Sequence, residues 1–239
     1  MIIITGIRLF LISLYTFLLS LVAFVLLLDR TYTTYFILSR IYGGGVLIIS
    51  GMKLTVSGRE NVDKNKAYVY VANHSSMYDI PALQKSVPTN LRMVFKKEIA
   101  KIPFFGWQLA AGPYIVVDRN NPTKAMQSIE EAKNAMIEYK DSILLFAEGT
   151  RSETGEVQEF KRGAFNLAVK VQHEIIPVSI CNTQKIMPKG SFNIRPGTIH
   201  VHYDKPIPVE GTLIKKDELE LMAKVRKIII ENKEKYSEK

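Results

Sequence analysis

A histidine and an aspartate five residues apart are the residues of this sequence best suited to acid–base chemistry. His74 and Asp79 lie in the stretch 73–79, NHSSMYD, which follows a β-branched and aromatic run at 67–71. That run predicts a buried strand, and Asp79 begins a segment that predicts a helix to about Ser86. We therefore expect His74 in a strand-to-helix loop, where a rigid scaffold commonly presents functional residues.

A loop that folds back would bring the Asp79 carboxylate to one nitrogen of the His74 imidazole. The carboxylate would then fix the tautomer and stabilise the imidazolium, leaving the other nitrogen to take a proton from a hydroxyl. A simpler interpretation exists, because Asn73, Ser75 and Ser76 favour turns and caps, and His74 could merely satisfy nearby backbone groups. The spacing alone does not decide between a general base and a local structural role.

A second motif, in which most residues are polar, follows another predicted strand, at 142–146. It consists of Ala147, Glu148, Gly149, Thr150, Arg151 and Ser152. Glycine permits a tight turn beside a ligand, and an arginine next to hydroxyl residues can bind a phosphate bidentately. By itself such a loop is most often only a turn.

Basic residues follow the ends of several predicted strands, namely Lys96, Lys97, Arg119, Arg151, Lys161 and Arg162. Strands alternate with helices from residue 67 onward, which predicts an α/β domain around a mostly parallel central sheet flanked by helices. The carboxyl ends of parallel strands share one edge, where ligands of open α/β proteins bind. His74 is expected at the same edge, so the sequence predicts a general base surrounded by cations.

The first 52 residues predict a two-helix membrane anchor. No charged residue occurs at 9–28, and a helix of this length spans about 30 Å, the thickness of a bilayer core. A cleaved signal peptide is the alternative, but no small-residue cleavage site follows the apolar run. The second apolar stretch, 35–52, contains Arg40 and the glycine run 43–45, so we expect a bent or interfacial helix there. Whether this anchor spans the bilayer or is monotopic is left open, and residues 53–239 are predicted to form the α/β domain with a C-terminal helix.

The net charge of +9 and the pI near 9.4 favour an anionic partner. Nucleic acid is disfavoured because no binding module is recognisable, whereas a membrane surface and a phosphorylated substrate fit the apolar N-terminus. The single cysteine, Cys181, excludes an internal disulfide framework and falls in a predicted buried strand. His200 and His202 share one side of a predicted strand without a third ligand nearby, so no metal site is predicted.

The two motifs in this order resemble those of the glycerolipid acyltransferases. That family carries a histidine–four residues–aspartate signature followed by Glu-Gly-Thr-Arg, and two further blocks are similar, at 112–119 and 176–178. The resemblance covers about residues 53–203 and implies a glycerol-3-phosphate acyltransferase-like fold. Within the family, the chain is most similar to the bacterial 1-acylglycerol-3-phosphate acyltransferases.

The resemblance also implies roles for individual residues. His74 would be the general base and Asp79 its partner. The acceptor site would be formed by Glu148, Gly149, Thr150 and Arg151, with Lys96, Arg119 and Lys161 at further basic positions. Pro113 and Tyr114 stand where the family more often has apolar residues.

The activity implied is transfer of a fatty acyl group to the sn-2 hydroxyl of 1-acylglycerol 3-phosphate (lysophosphatidic acid), giving phosphatidic acid for phospholipid biosynthesis. The donor would be an acyl carrier protein or coenzyme A thioester, with no other cofactor, at the cytoplasmic face of the inner membrane. Alternatives are another acceptor, such as glycerol 3-phosphate or another lysophospholipid, or a non-catalytic lipid-binding or tethering protein. Covalent serine catalysis is disfavoured because no G-x-S-x-G motif is present.

Overall fold

A seven-stranded sheet forms the centre of the computed structural model, which describes residues 2–118, 121–209 and 215–237. The strands are β1 (Lys53–Ser57), β2 (Val69–Ala72), β3 (Leu91–Lys96), β4 (Ile115–Val117), β5 (Ser142–Phe146), β6 (Ile175–Cys181) and β7 (Thr198–Tyr203). Their order across the sheet is β1-β7-β6-β2-β5-β3-β4. All neighbours pair in parallel except β6 and β7. The mostly parallel sheet is therefore confirmed, and β1 and β7 run against the other strands.

Helices connect the strands and cover both faces of the sheet. They are α1 (Ile2–Leu26), α2 (Thr33–Ser50), α3 (Asp79–Ser86), α4 (Phe105–Ala111), α5 (Pro122–Tyr139), α6 (Gly163–Val171), α7 (Thr183–Ile186) and α8 (Lys215–Tyr236). Short 3₁₀ turns lie at Arg59–Asn61 and Ile99–Lys101. Asn121 directly precedes Pro122, a pair that predicts the start of a helix, and the Asn121 side chain caps α5 by accepting from the Lys124 N–H at 3.1 Å. Helix α6 was not predicted.

The alternation of side chains along β2 divides the core into two layers. Val69 and Val71 belong to a cluster with residues of α5, α6 and α8, whereas Tyr70 and Ala72 face a cluster with residues of α2 and α3. All four residues of β2 are buried, as expected for a central strand covered by helices on both sides. The sheet thus holds the residues that follow β2 on a rigid support.

Helix α1 is long and apolar enough to cross a bilayer, and only 11% of the residues in its most apolar window are buried. Side-chain contacts nevertheless join it to the rest of the chain. The Thr5 hydroxyl donates to Asn193 Oδ1 at 3.2 Å, the Tyr15 hydroxyl donates to the Ile41 carbonyl at 2.9 Å, and the Phe17 ring packs edge-on against Phe104.

Helix α2 packs closely against α3. A Cβ placed on Gly43 would lie 2.6 Å from the Pro81 carbonyl oxygen, so only glycine allows this approach. Tyr35, Phe36 and Leu47 of α2 are buried. The glycines of this helix therefore serve close packing, and α2 is one uninterrupted helix in which the sequence had suggested a bend. The division of the chain at residue 52 stays a prediction.

Candidate active site

The two sequence motifs meet because β2 and β5 are neighbouring parallel strands. Ala72 pairs with Phe146 at their carboxyl ends, and His74 and Glu148 each follow two residues later. The backbone N–H of His74 donates to Glu148 Oε1 at 2.7 Å. The Ser152 N–H donates in turn to the His74 carbonyl at 2.8 Å. Both motifs therefore fold as one unit at this edge of the sheet.

The loop after β2 folds back so that the Asp79 carboxylate contacts the histidine. His74 Nδ1 lies 2.7 Å from Asp79 Oδ2. The same oxygen accepts from the backbone N–H groups of Ser75 and Ser76, at 2.7 and 2.9 Å. Asp79 is fully buried at the start of α3, so these donors fix the carboxylate in place. This is the contact that the spacing predicted.

The His74 ring is held on its face as well as at its edge. It stacks on the Phe146 ring with centroids 4.0 Å apart, and its side chain is 14% exposed. Because Nδ1 is engaged by Asp79, Nε2 is the nitrogen left for a substrate hydroxyl. The geometry is that of an oriented and accessible general base; the catalytic roles of both residues stay predictions.

Glu148 lies beneath the histidine loop and is buried. Its Oε1 accepts from the His74 N–H, and its Oε2 accepts from the Gln158 N–H at 3.1 Å. Burial raises the pKa of the Glu148 carboxyl, and the two N–H donors oppose that shift. The contacts join Glu148 to backbone, and its predicted part in binding the acceptor is untested.

Gly149, Thr150 and Lys161 form the surface beside this carboxylate. Gly149 has φ +73°, and a Cβ at this position would lie 2.9 to 3.0 Å from the end of the Lys161 side chain. Thr150 and Lys161 are exposed, and Arg151 is half-buried. The Lys161 N–H donates to the Ala147 carbonyl at 2.7 Å, which places the lysine against the Glu-Gly-Thr-Arg loop.

The other predicted cations at this edge differ in their surroundings. Lys96 Nζ lies 3.5 Å from Glu98 Oε2, and Lys97 Nζ lies 2.6 Å from Asp118 Oδ2. Arg162 donates through two nitrogens to Glu218 of α8, at 2.9 and 2.7 Å. Arg119 lies outside the described residues. The edge is thus less uniformly available to a ligand than a count of basic residues suggests, because Lys97 and Arg162 hold acidic side chains.

An apolar cavity of about 390 Å³ opens beside the histidine. Its walls come from α1, α2, α3, β3 and α4, and include Leu9, Ala23, Val46, Met93 and Leu109. Phe146, the ring that stacks on His74, also lines it, as does exposed Met77. Sequence reasoning did not find this cavity, because its walls come from segments far apart in the chain.

The two histidines of β7 lie elsewhere, under the end of α8. Both rings pack on Tyr236, with centroids 4.5 and 4.7 Å away. His200 Nε2 and His202 Nδ1 each form a hydrogen bond with the Ser57 hydroxyl at 2.8 Å. Burial lowers the pKa of His200 and of His202. Cys181 is fully buried, as expected. Within 2–118, 121–209 and 215–237, no group of three or more His, Cys, Asp or Glu side chains could hold a metal ion.

Comparison with known proteins decides the family. The sequence model of the family described as Acyltransferase matches residues 53–181, which contain both motifs and all of β1 to β6. This chain belongs to the acyltransferase family. The resemblance inferred from the motifs is thereby confirmed.

Proteins named 1-acyl-sn-glycerol-3-phosphate acyltransferase are among the relatives of this acyltransferase. The protein from Cocos nucifera is 33% identical over 168 residues, covering 70% of this chain and 54% of its own length. That from Saccharomyces cerevisiae is 33% identical over 205 residues, covering 84% of this chain and 66% of its own length. The chain therefore spans between about half and two thirds of the length of these relatives.

A solved structure extends the likeness to nearly the whole chain. The crystal structure of the 1-acyl-sn-glycerophosphate (LPA) acyltransferase PlsC from Thermotoga maritima superposes with a TM-score of 0.77 at 25% identity. The match covers 97% of each chain. The α/β fold predicted from the sequence, with helices on both faces of its sheet, is the fold of that protein.

Proposed function

We propose that this acyltransferase transfers a fatty acyl group from an acyl thioester to the sn-2 hydroxyl of 1-acylglycerol 3-phosphate, giving phosphatidic acid. The observation that carries the proposal is the position of His74 between two unlike surfaces. On one side Phe146 continues into the apolar cavity. On the other side the Glu-Gly-Thr-Arg loop is lined by Lys161. A substrate with an acyl chain and a phosphate requires both surfaces.

The reaction needs one base and no covalent enzyme intermediate. His74 Nε2 takes the proton of the acceptor hydroxyl as its oxygen attacks the thioester carbonyl, and Asp79 stabilises the imidazolium that forms. The tetrahedral intermediate collapses, the C–S bond breaks, and the imidazolium returns the proton to the departing thiolate. The 2.7 Å contact between His74 Nδ1 and Asp79 Oδ2 supports this order, because it fixes the tautomer in which Nε2 is unprotonated.

The apolar cavity holds the acyl chain in this proposal. Its volume falls in the range of pockets that bind small molecules, and its walls are mostly hydrocarbon. Residues of α1 form part of the wall, so the helix that would lie in lipid also borders the cavity. An acyl chain could then pass from the bilayer into the cavity without crossing water.

The acceptor phosphate binds at the cationic loop, to Arg151 and Lys161, with Lys96 and Arg119 as further cations and Glu148, Gly149 and Thr150 shaping the loop. The half-buried position of Arg151 and the closeness of Lys161 to Gly149 support this assignment. A positive Gly149 φ turns the chain so that its backbone can approach a ligand.

The protein acts at the inner membrane, with the active site facing the cytoplasmic leaflet, where acyl carrier protein or coenzyme A thioesters are available. The exposed apolar surface of α1 supports membrane association. The net charge of +9 favours docking of an acidic donor protein and of anionic lipid. No cofactor other than the thioester co-substrate takes part.

The test is acyl transfer by the purified full chain in lipid vesicles. Lysophosphatidic acid and glycerol 3-phosphate are offered separately, each with acyl carrier protein and coenzyme A thioesters. Three proteins are compared: wild type, His74→Ala and His173→Ala. His173 is a matched control, because its ring contacts the Val171 carbonyl and lies outside the site.

Phosphatidic acid formed from lysophosphatidic acid by wild type and by His173→Ala, and lost in His74→Ala, is the expected result. Acylation of glycerol 3-phosphate alone would overturn the proposed acceptor and leave the base in place. Failure of wild type with both acceptors and both donors would overturn the proposed activity.

A further inference from the structure

Helix α8 lies beyond the segment 53–181 that matches the family, yet it contacts the loop that follows the Glu-Gly-Thr-Arg motif. Arg226 makes the contact with two nitrogens. Its Nε donates to the Gln158 carbonyl at 3.0 Å, and its Nη2 donates to the Val157 carbonyl at 2.8 Å. The arginine side chain is 30% exposed, so it is partly shielded from water. A planar guanidinium suits such a two-point contact, which lysine cannot reproduce.

The contacts continue from Gln158 to the histidine. The N–H of Gln158 donates to Glu148 Oε2 at 3.1 Å, and Glu148 Oε1 accepts from the His74 N–H at 2.7 Å. Gln158 is thus held on both sides, its carbonyl by Arg226 and its N–H by Glu148. An unbroken series of hydrogen bonds therefore joins α8 to the backbone of the catalytic loop.

We propose that Arg226 is a positioning residue for His74, acting through Gln158 and Glu148. The proposal rests on the proposed function for its catalytic consequence. Fixing Gln158 keeps its N–H on the Glu148 carboxylate. The carboxylate in turn fixes the His74 backbone, and this holds the imidazole where it contacts Asp79.

Docking of α8 does not itself depend on this arginine. Val225 and Ile229 are fully buried in the core, and Glu218 binds Arg162 through both carboxylate oxygens. Loss of the Arg226 side chain therefore removes a local restraint on residues 157 and 158 and leaves the helix in place. Glu218→Gln provides the matched control. It weakens the ion pair between α8 and Arg162 and leaves the hydrogen bonds of Arg226, Gln158 and Glu148 unchanged.

Hydrogen exchange by mass spectrometry tests the series without relying on activity. The full chain in vesicles is compared as wild type, Arg226→Ala and Glu218→Gln. In Arg226→Ala, exchange should accelerate in peptides containing Gln158 and also in those containing His74, because both N–H groups bind Glu148. Glu218→Gln should leave both peptides unchanged. Faster exchange around residue 158 alone, or equal changes in the two variants, would overturn the proposal.

A double-mutant cycle tests the catalytic consequence. In Glu148→Gln the amide oxygen can accept from only one of the two N–H groups, so the series is broken. Arg226→Ala should lower kcat about tenfold in wild type and less than about twofold in Glu148→Gln, with Arg226→Lys restoring part of the rate through one hydrogen bond. If Arg226→Ala lowers kcat by the same factor in wild type and in Glu148→Gln, Arg226 acts independently of Glu148, and the proposal is overturned. If wild type transfers no acyl group to any acceptor, the proposed function fails, and the exchange experiment still decides whether the series exists.

Discussion

Replacing Asp79 by asparagine separates the charge of this side chain from its hydrogen bonds. Oδ2 accepts from the backbone N–H groups of Ser75 and Ser76 and contacts His74 Nδ1. In the variant, the amide oxygen should take this position, because those two N–H groups require an acceptor. The amide nitrogen then replaces Oδ1, which is buried and contacts no hydrogen-bond partner among the described residues. The histidine should therefore keep its tautomer and lose only the negative charge beside it.

The expected loss follows from that charge. An imidazolium and a carboxylate whose charges are about 4 Å apart attract by about 4 kcal/mol at an effective dielectric constant of about 20. This attraction exists only when the proton has moved to His74, so its loss raises the barrier. It corresponds to about a thousandfold in kcat, or about thirtyfold if water at the partly exposed ring halves it. A reversed tautomer would cost more, about 10⁴-fold as in a catalytic triad with the same change.

The assay measures kcat for acyl transfer to lysophosphatidic acid at saturating donor, with thermal unfolding to check the fold. Asp63→Asn is the control, since Asp63 is exposed and accepts from the Asn65 N–H, which asparagine can also do. Combining Asp79→Asn with His74→Ala should lower the residual rate no further. The reasoning is refuted if Asp79→Asn retains kcat within about threefold of wild type, or if it still slows the enzyme that lacks His74.

Three further predictions concern other regions. Gly149→Ala should raise the KM for the acceptor, because it combines a backbone strain of about 1–2 kcal/mol with a clash against Lys161. Gly190→Ala is the control: Gly190 has φ +82° and open space around it, so this change should lower stability similarly and leave the KM unchanged. Trp107 is the one tryptophan in the sequence and is 50% exposed beside α1. Its fluorescence should be quenched by brominated lipids in vesicles and protected from quenching by aqueous iodide. Quenching by iodide and not by brominated lipids would place this surface in water. Because burial lowers the pKa of His200 and His202 below 6.5, the unfolded chain binds more protons there and stability should fall as pH drops from about 7.5 to about 5.5. Replacing both by glutamine should flatten the fall in melting temperature; an unchanged slope would contradict this.

Much of the architecture was predictable because it depends on local patterns. The apolar and β-branched runs at 67–71 and 142–146 located β2 and β5 to within about two residues. Asn121 and Pro122 marked the start of α5, where the side-chain cap is found. Helix α6 was missed, since its segment begins at a glycine and directly follows a loop rich in polar residues. The antiparallel pairing of β6 and β7 was also not predictable, because strand direction depends on contacts between distant segments.

What the sequence by itself determined is the pair of motifs, their order and the family they indicate. Histidine and aspartate suit acid–base chemistry and arginine suits phosphate binding, and these residue types can be recognised from the sequence alone. Their assignment to the carboxyl ends of strands followed from the alternation of strands and helices. Basic residues could likewise be counted along the chain, although their partners could not.

Only the tertiary structure showed which of these groups contact other parts of the protein. Glu148 belongs to a motif read as a binding site, yet its carboxylate accepts from two backbone N–H groups. Arg162 holds Glu218, and Arg226, which no motif marks, contacts the loop beneath the histidine. The apolar cavity likewise has walls from separate elements that include α1, β3 and β5. Hydrogen-bond partners, ion-pair partners and cavity walls depend on contacts between residues far apart in the chain. Local sequence patterns do not predict such contacts.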